Sequence, residues 1–254
     1  MSENDTARLD NLDMLINSLM NDGGQRLAIP HDLRGKQQLV RALMNVRPPL
    51  PATEEFLRRQ DRELQWQLAD KGIVEPQGKG LLVWQGDITR LKVDAIVNAA
   101  NSELLGCFIP LHSCIDNAIH SAAGIQLRNA CYRIMRAQGH EEATGTAKIT
   151  PGFNLPAKYV IHTVGPIIPD GQPTSEQEEQ LASCYRSCLD IAEDYGLHSI
   201  AFCCISTGVF RFPRRRAAEI AVETVRSYPK KNIDTVIFNT FKDEDDHLYR
   251  QLVQ

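Results

Sequence analysis

The chain has 254 residues, 43% of them hydrophobic and 24% charged, with a formal net charge of -4. This length and apolar content permit a large buried core in one or two domains, and the mild acidity gives no global signal for nucleic acid or an anionic membrane surface. No run approaches the roughly 18 unbroken apolar residues of a membrane span, and the polar residues 1–10 lack a signal-peptide apolar stretch.

Residues 1–80 read as a helical extension. Leu9, Leu12, Leu15, Ile16 and Leu19 recur at helical spacing, and Gly23-Gly24 ends that run. Leu33, Leu39, Val40, Leu43 and Met44 form a second helical face. Arg47-Pro48-Pro49-Leu50-Pro51 cannot continue it, because proline lacks the N–H and clashes with the preceding turn. Thr53 then reads as the N-cap of a third helix through Phe56, Leu57, Leu64 and Leu68 that stops near Gly72.

From residue 81 the pattern changes to strands alternating with helices. Runs at 81–84, 93–98, 159–164, 200–205 and 235–239 suit buried strands. Between them, Ile115, Ile119, Ala123, Leu127, Ala130 and Ile134 mark one amphipathic helix. Leu181, Tyr185, Cys188, Leu189 and Ala192 mark another, and Ala217, Ile220, Ala221 and Val225 a third. Residues 169–174 read as a surface turn, and Arg214, Arg215 and Arg216 as a solvated helix start. The alternation implies a mixed or parallel sheet with helices on both faces. Ligands of such sheets sit at the loops leaving the C-terminal strand ends.

Gly86-Asp87-Ile88-Thr89 follows the first of these strands, and 93–98 runs on into Ala99-Ala100-Asn101. Taken singly, such turns serve to satisfy loop backbone groups. In combination they are specific. Those two motifs are followed by Asp116-Asn117-Ala118-Ile119-His120-Ser121-Ala122-Ala123-Gly124 and Gly145-Thr146-Ala147. Then come Tyr159-Val160-Ile161-His162-Thr163-Val164-Gly165-Pro166 and Ile205-Ser206-Thr207-Gly208-Val209-Phe210. The set resembles the macrodomain family over residues 81–254.

The resemblance implies a three-layer α/β/α macrodomain with an ADP-ribose cleft, preceded by the helical extension. It implies that Asp87 accepts a hydrogen bond from the adenine amino group, that the Ile88 backbone faces the adenine, and that Asn101 contacts the distal ribose. Ser206, Thr207, Gly208, Val209 and Phe210 are expected to hold the diphosphate. A Ser-Thr-Gly turn after a buried strand can aim several N–H groups inward as an anion nest. Phe241, just past the last strand, suits either adenine stacking or core packing. Arg211 either reaches the diphosphate or points outward.

One loop departs from the common macrodomain pattern. Where a glycine run is usual after Gly106, this chain has Cys107-Phe108-Ile109-Pro110-Leu111-His112-Ser113-Cys114. Two thiols and an imidazole in a short loop bent by proline suit a zinc site. The loop resembles the zinc-containing macrodomains found in microbes beside sirtuin-like ADP-ribosyltransferases. Cys107, His112 and Cys114 are therefore the expected metal ligands for one zinc per chain. A fourth ligand from Asp116, His120 or Cys203-Cys204 would make the metal structural rather than catalytic. The chain has seven cysteines. Without an export signal they read as cytoplasmic thiols or metal ligands rather than a disulfide framework. Cys131, Cys184, Cys188, Cys203 and Cys204 fall on core positions, His120 and His162 read as structural, and Trp66 and Trp84 as packing residues.

The expected activity is zinc-dependent hydrolysis of mono-ADP-ribose from protein side chains of Asp/Glu linkage, opposite a sirtuin-like transferase. ADP-ribose would be the product ligand. Asn101 would hold the ribose, and Asp116, matching the acidic residue of hydrolytic macrodomains, would orient or deprotonate the attacking water. The alternatives are an O-acetyl-ADP-ribose deacetylase and a non-catalytic ADP-ribose reader. Nucleic-acid and membrane partners are not expected.

Overall fold

The buried strands assemble into one mixed sheet in a computed structural model that describes residues 3–24 and 26–254. The strands are β1 (Gly80–Gln85), β2 (Ala95–Ala100), β3 (Ala147–Pro151), β4 (Tyr159–Val164), β5 (Ser199–Phe202) and β6 (Thr235–Thr240). Their order is β1-β6-β5-β2-β4-β3. All neighbours are parallel except β3, which runs antiparallel to β4 at the edge. Parallel strands must be covered on both faces, and β2 and β6 are buried along nearly their whole length.

Helices α4 (Ile115–Ala123) and α5 (Ile125–Gln138) cover one face, packing on β2 and β3. Helices α6 (Ser175–Asp194), α7 (Arg214–Ser227) and α8 (Asp243–Val253) pack side by side over the other. The main core runs through both layers, from Ile96, Val97 and Ile161 in the sheet to Leu127 on one side and Tyr185 and Val225 on the other.

The extension folds as α1 (Glu3–Gly23), α2 (Leu33–Val46) and α3 (Glu54–Lys71). The Thr53 hydroxyl accepts from Phe56 N at 3.2 Å, as its N-cap reading expects. Leu12, Leu15, Ile16, Leu19, Val40, Leu43 and Phe56 form a second core, closed by Ile125 of α5. Inside it, Arg8 is paired with the buried Glu63 at 3.2 Å, and Gln37 and Gln67 each donate to Glu63 at 2.9 Å.

The extension is tied closely to the α/β layers. Gln60 accepts from Ile125 N at 2.9 Å, Asn154 donates to Asp61 at 2.7 Å, and Arg128 of α5 donates to the Met44 carbonyl at 3.0 Å.

Four elements differ from expectation. The single helix expected over 115–134 is two, broken at Gly124, whose φ is 93° and whose Cα faces the Gln60 amide so closely that a Cβ would lie 2.6 Å from it. The strand expected over 200–205 ends at Phe202, because the chain must leave the sheet to build the following loop. Strand β3 was not anticipated; it is a half-exposed edge strand without an apolar run. Helix α8 adds an element beyond the expected ones, and its acidic first turn from Asp243 to Asp246 is a helix-start signal.

Asp94 joins three strand beginnings. Its carboxylate accepts from His198 N at 2.8 Å and Ser199 N at 3.1 Å and pairs with Lys158 at 2.7 Å. Burial works to raise its pKa, but Lys158 and the two N–H groups outweigh it, so the carboxyl is held below its usual value. A depressed carboxyl stabilises the fold fully above its unfolded pKa of about 3.9 and loses that contribution as pH falls through the folded value. Asp94→Ala is expected to cost about 1–3 kcal/mol in urea unfolding at pH 7. The difference from wild type should shrink only below about pH 4.

Candidate active site

A cleft of about 620 Å³ opens at the C-terminal ends of the parallel strands. That is where open α/β sheets bind ligands, and the volume suits a nucleotide-sized molecule. Asp87 and Ile88, following β1, line one end, and Phe241, following β6, stands at the mouth. Phe241 is 77% exposed, which excludes core packing and leaves its ring free to stack. Asp87 caps the short 3-10 turn Ile88–Arg90 by accepting from Thr89 N at 3.0 Å, and pairs with Lys71 of α3 at 3.1 Å. Burial opposes its ionisation, but Thr89 and Lys71 prevail and hold it below the usual carboxylate range. It is therefore a fixed acceptor at neutral pH.

Ser206, Thr207, Gly208, Val209 and Phe210 all line the cleft. Ser206 sits at φ 63°. Its carbonyl accepts from Phe212 N at 3.0 Å, and the Thr207 hydroxyl donates to Cys204 O at 3.0 Å, so the loop is braced from below. Among the described residues, the N–H groups of Gly208, Val209 and Phe210 meet no protein acceptor. The Ser206 hydroxyl is buried without a partner. Uncommitted donors in succession make an anion nest. Arg211 is not part of it: its side chain donates to the Pro169 carbonyl at 3.4 Å.

Gly165, after β4, closes the floor. A Cβ there would fall 2.1 Å from Ser206 Oγ and 2.8 Å from Ile205 Cγ2. Gly165→Ala is expected to displace the loop and to lower stability by about 1–3 kcal/mol. Thermal unfolding would measure the loss.

At the other end, Cys107, His112 and Cys114 converge. Their ligand atoms lie within 4.8 Å of one another, with Cys107 Sγ 3.5 Å from His112 Nδ1. Cys114 is the N-cap of α4, its sulfur accepting from Asn117 N at 3.4 Å. Burial pushes its thiol up to about 11, with the Asn117 N–H opposing and neighbouring Cys107 and Asp116 adding to the rise. Two thiols and an imidazole so placed form a donor set that a divalent zinc ion fits, since the metal would hold both sulfurs as thiolates. Among the described residues, no fourth His, Cys, Asp or Glu joins this triplet. His120 belongs to a separate buried group with Cys131 and His162, and Cys203 and Cys204 line the cleft instead. Three protein ligands would leave a position open on a bound zinc ion, as catalytic rather than structural zinc sites do.

The loop is built by side chains around it. Arg128 donates to the Leu105 carbonyl at 2.6 Å and lies 4.2 Å over the Phe108 ring. Asn117 donates to Ile109 O at 3.0 Å, and Asn45 of α2 accepts from Leu111 N at 3.0 Å. Gly106 remains glycine for a local reason: at φ 80° its Cα abuts the His120 ring, and a Cβ would lie 2.8 Å from it.

Two expected catalytic residues do not face the cleft. Asn101 is turned into its own loop, accepting from Glu103 N at 3.2 Å and donating to Gly106 O at 3.3 Å. Asp116 lies behind Cys114, buried, accepting from Asn98 Nδ2 at 2.8 Å and 3.5 Å from His120 Nε2. In this arrangement Asp116 is not among the residues that line the cleft, and a side-chain rotation would bring its carboxylate toward it. Burial pushes its carboxyl up to about 6, against the pull of Asn98 and Arg128.

His162 is structural as expected. It meets the Thr150 hydroxyl at 2.9 Å, and burial lowers it to about 3. Burial likewise pushes Cys131 up to about 12 and Cys184 up to about 11, which favours the neutral thiol over the thiolate.

The extension contributes to the cleft in a way that no sequence motif indicates. Val40, Arg41, Met44, Leu64, Leu68 and Lys71 of α2 and α3 form one wall of the cleft. No local motif marks them, because the wall exists only once the helices dock.

Comparison with known proteins agrees with this architecture. Residues 97–221 match the Macro domain family. A protein-ADP-ribose hydrolase of Treponema medium is 56% identical, covering 89% of this chain and 90% of its own length. One from Staphylococcus aureus is 49% identical over 94% of each chain. A solved Oceanobacillus iheyensis macrodomain, a mutant with ADPR, superposes with a TM-score of 0.62 at 39% identity, covering 69% of this chain and 96% of that one. Among the described residues, no helix is long and apolar enough to cross a membrane.

Proposed function

Because this chain belongs to the macrodomain family, we propose that it hydrolyses ADP-ribose from modified protein side chains, with zinc held by Cys107, His112 and Cys114. One observation carries this reading. His112 and Cys114 of the Cys-His-Cys triplet line the same cleft as the anion nest and the Asp87 acceptor. The likeness to protein-ADP-ribose hydrolases spans the helical extension as well as the α/β layers.

In this reading Asp87 and the Ile88 backbone hold the adenine and Phe241 stacks on it. The N–H groups of residues 208–210 hold the diphosphate, assisted by Ser206 and Thr207. Fixing the nucleotide along its length positions the distal ribose at the triplet, and such remote binding lowers the barrier to reaction. Zinc bound there would supply Lewis-acid polarisation and lower the pKa of a bound water. Asn101 shapes the turn that opens the metal loop and contacts the ribose when its amide leaves that turn. Asp116, whose side chain rotates away from Asn98 to reach the cleft, orients or deprotonates the attacking water.

The substrate we favour is an Asp or Glu ester of the distal ribose, whose carboxylate is a good leaving group. Its supply requires an ADP-ribosyltransferase, for which a sirtuin-like enzyme is our candidate.

Elemental analysis combined with release assays on Asp/Glu-linked and Ser-linked conjugates tests the reading. About one zinc per chain and preferential release from the acidic linkage are expected. ADP-ribose binding with no release from any conjugate would leave a reader module. Turnover of O-acetyl-ADP-ribose alone would leave a deacetylase.

A further inference from the structure

Among the described residues, one charged group that the extension places in the cleft has no counter-charge on the protein. Arg41 of α2 lines the wall beside His112, Ser113 and Cys114. Its Nη2 donates to Asn117 Oδ1 at 2.7 Å and to the His112 carbonyl at 3.5 Å, both neutral acceptors. Its Nε is buried and has no acceptor. Among the described residues, no carboxylate lies within ion-pairing distance of it.

The buried and the other cleft-lining cations of the extension are treated differently. Arg8 pairs with Glu63 at 3.2 Å, Arg47 with Asp22 at 2.8 Å and, on the same wall, Lys71 with Asp87 at 3.1 Å. A partly desolvated cation without a counter-charge is costly to the fold. Asn117, itself anchored to the Ile109 carbonyl at 3.0 Å, fixes one corner of the guanidinium and leaves the Nε edge uncommitted. The guanidinium fork matches planar carboxylates and phosphate oxygens in a way that an ammonium does not.

We propose that Arg41 is a substrate-binding residue contributed by the N-terminal extension, holding an anionic oxygen of the ADP-ribosylated substrate at the metal-loop end of the cleft. The proposal rests on the reading of the cleft as an ADP-ribose site. Two parts of such a substrate carry this chemistry: a phosphate of ADP-ribose, and a carboxylate of the acceptor side chain. In either case the extension is part of the binding site and not a separable appendage.

The test uses the full chain with Arg41→Gln, which removes the charge but can still donate to Asn117, and Arg41→Lys, which keeps the charge without the fork. ADP-ribose affinity, kcat and KM on Asp/Glu-linked and Ser-linked conjugates, and zinc content are measured. If a phosphate is held, Arg41→Gln weakens ADP-ribose binding about tenfold or more. If the acceptor carboxylate is held, ADP-ribose affinity stays at the wild-type level and kcat/KM falls by a similar factor on the acidic linkage alone. Zinc content is unchanged in both cases.

Affinity and kcat/KM within about twofold of wild type overturn the proposal. A loss of zinc in step with activity also overturns it, since Arg41 would then only brace the loop. If Arg41→Gln does not fold, Arg41→Lys decides: severalfold weaker binding supports the assignment, and wild-type behaviour overturns it. A wild-type protein that binds ADP-ribose without turnover would end the hydrolase reading. Arg41 would then stand or fall on ADP-ribose affinity alone.

Discussion

Cys107→Ala and His112→Ala are expected to lose the zinc and to lower the rate of ADP-ribose release by at least about 100-fold. Removing one of three ligands leaves two, too few to retain the ion, and no nearby side chain replaces it: His120, Cys131 and His162 form their own buried group. The loss should not be an unfolding effect. Arg128 on Leu105 O and over Phe108, Asn117 on Ile109 O, and Asn45 under Leu111 N hold the loop independently of the sulfurs. Thermal unfolding of the metal-free variants should therefore match that of chelator-treated wild type. Cys204→Ala is the control, since this thiol borders the cleft and donates to the Asn239 carbonyl but belongs to no ligand group among the described residues, and it should retain zinc. Full release by folded, metal-free protein would remove zinc from the mechanism.

Asp116→Asn should lower kcat by about 100-fold or more, the usual scale for losing a positioned proton acceptor. ADP-ribose affinity and zinc content should be nearly unchanged. The asparagine carbonyl can still accept from Asn98, so the packing behind Cys114 survives. Removing a carboxylate that burial already disfavours also gives no reason for the fold to weaken. A kcat within about threefold of wild type would sink the proton-acceptor role, and Asp116 would then be a structural residue behind the metal loop. A parallel fall in zinc content would point to the same structural role.

Much of this architecture was legible in the sequence because its signals are local. Buried β-branched runs gave four of the parallel strands within about two residues, and Thr53, Gly72 and the prolines after Arg47 bounded the extension helices where they in fact end. Strand β3 left little trace, since an edge strand beside only one neighbour needs no apolar run. The break at Gly124 was hidden because the apolar spacing continues across it. What divides the helix is the Gln60 side chain arriving from α3.

The amino-acid order by itself determined the layer architecture, the Cys-His-Cys triplet and the loop of residues 206–210, because each is a short segment whose residue types limit what its backbone and side chains can do. Only the tertiary structure decided that Asp116 and Asn101 turn away from the cleft, that Phe241 stands exposed at its mouth, and that Arg41 and Lys71 form part of its wall. Asp116, Arg41 and Lys71 take rotamers chosen by partners distant in the chain, Asn98, Asn117 and Asp87, whereas the Asn101 amide is held by Glu103 and Gly106 of its own loop. Neither composition nor periodicity encodes such contacts before the helices dock on the sheet.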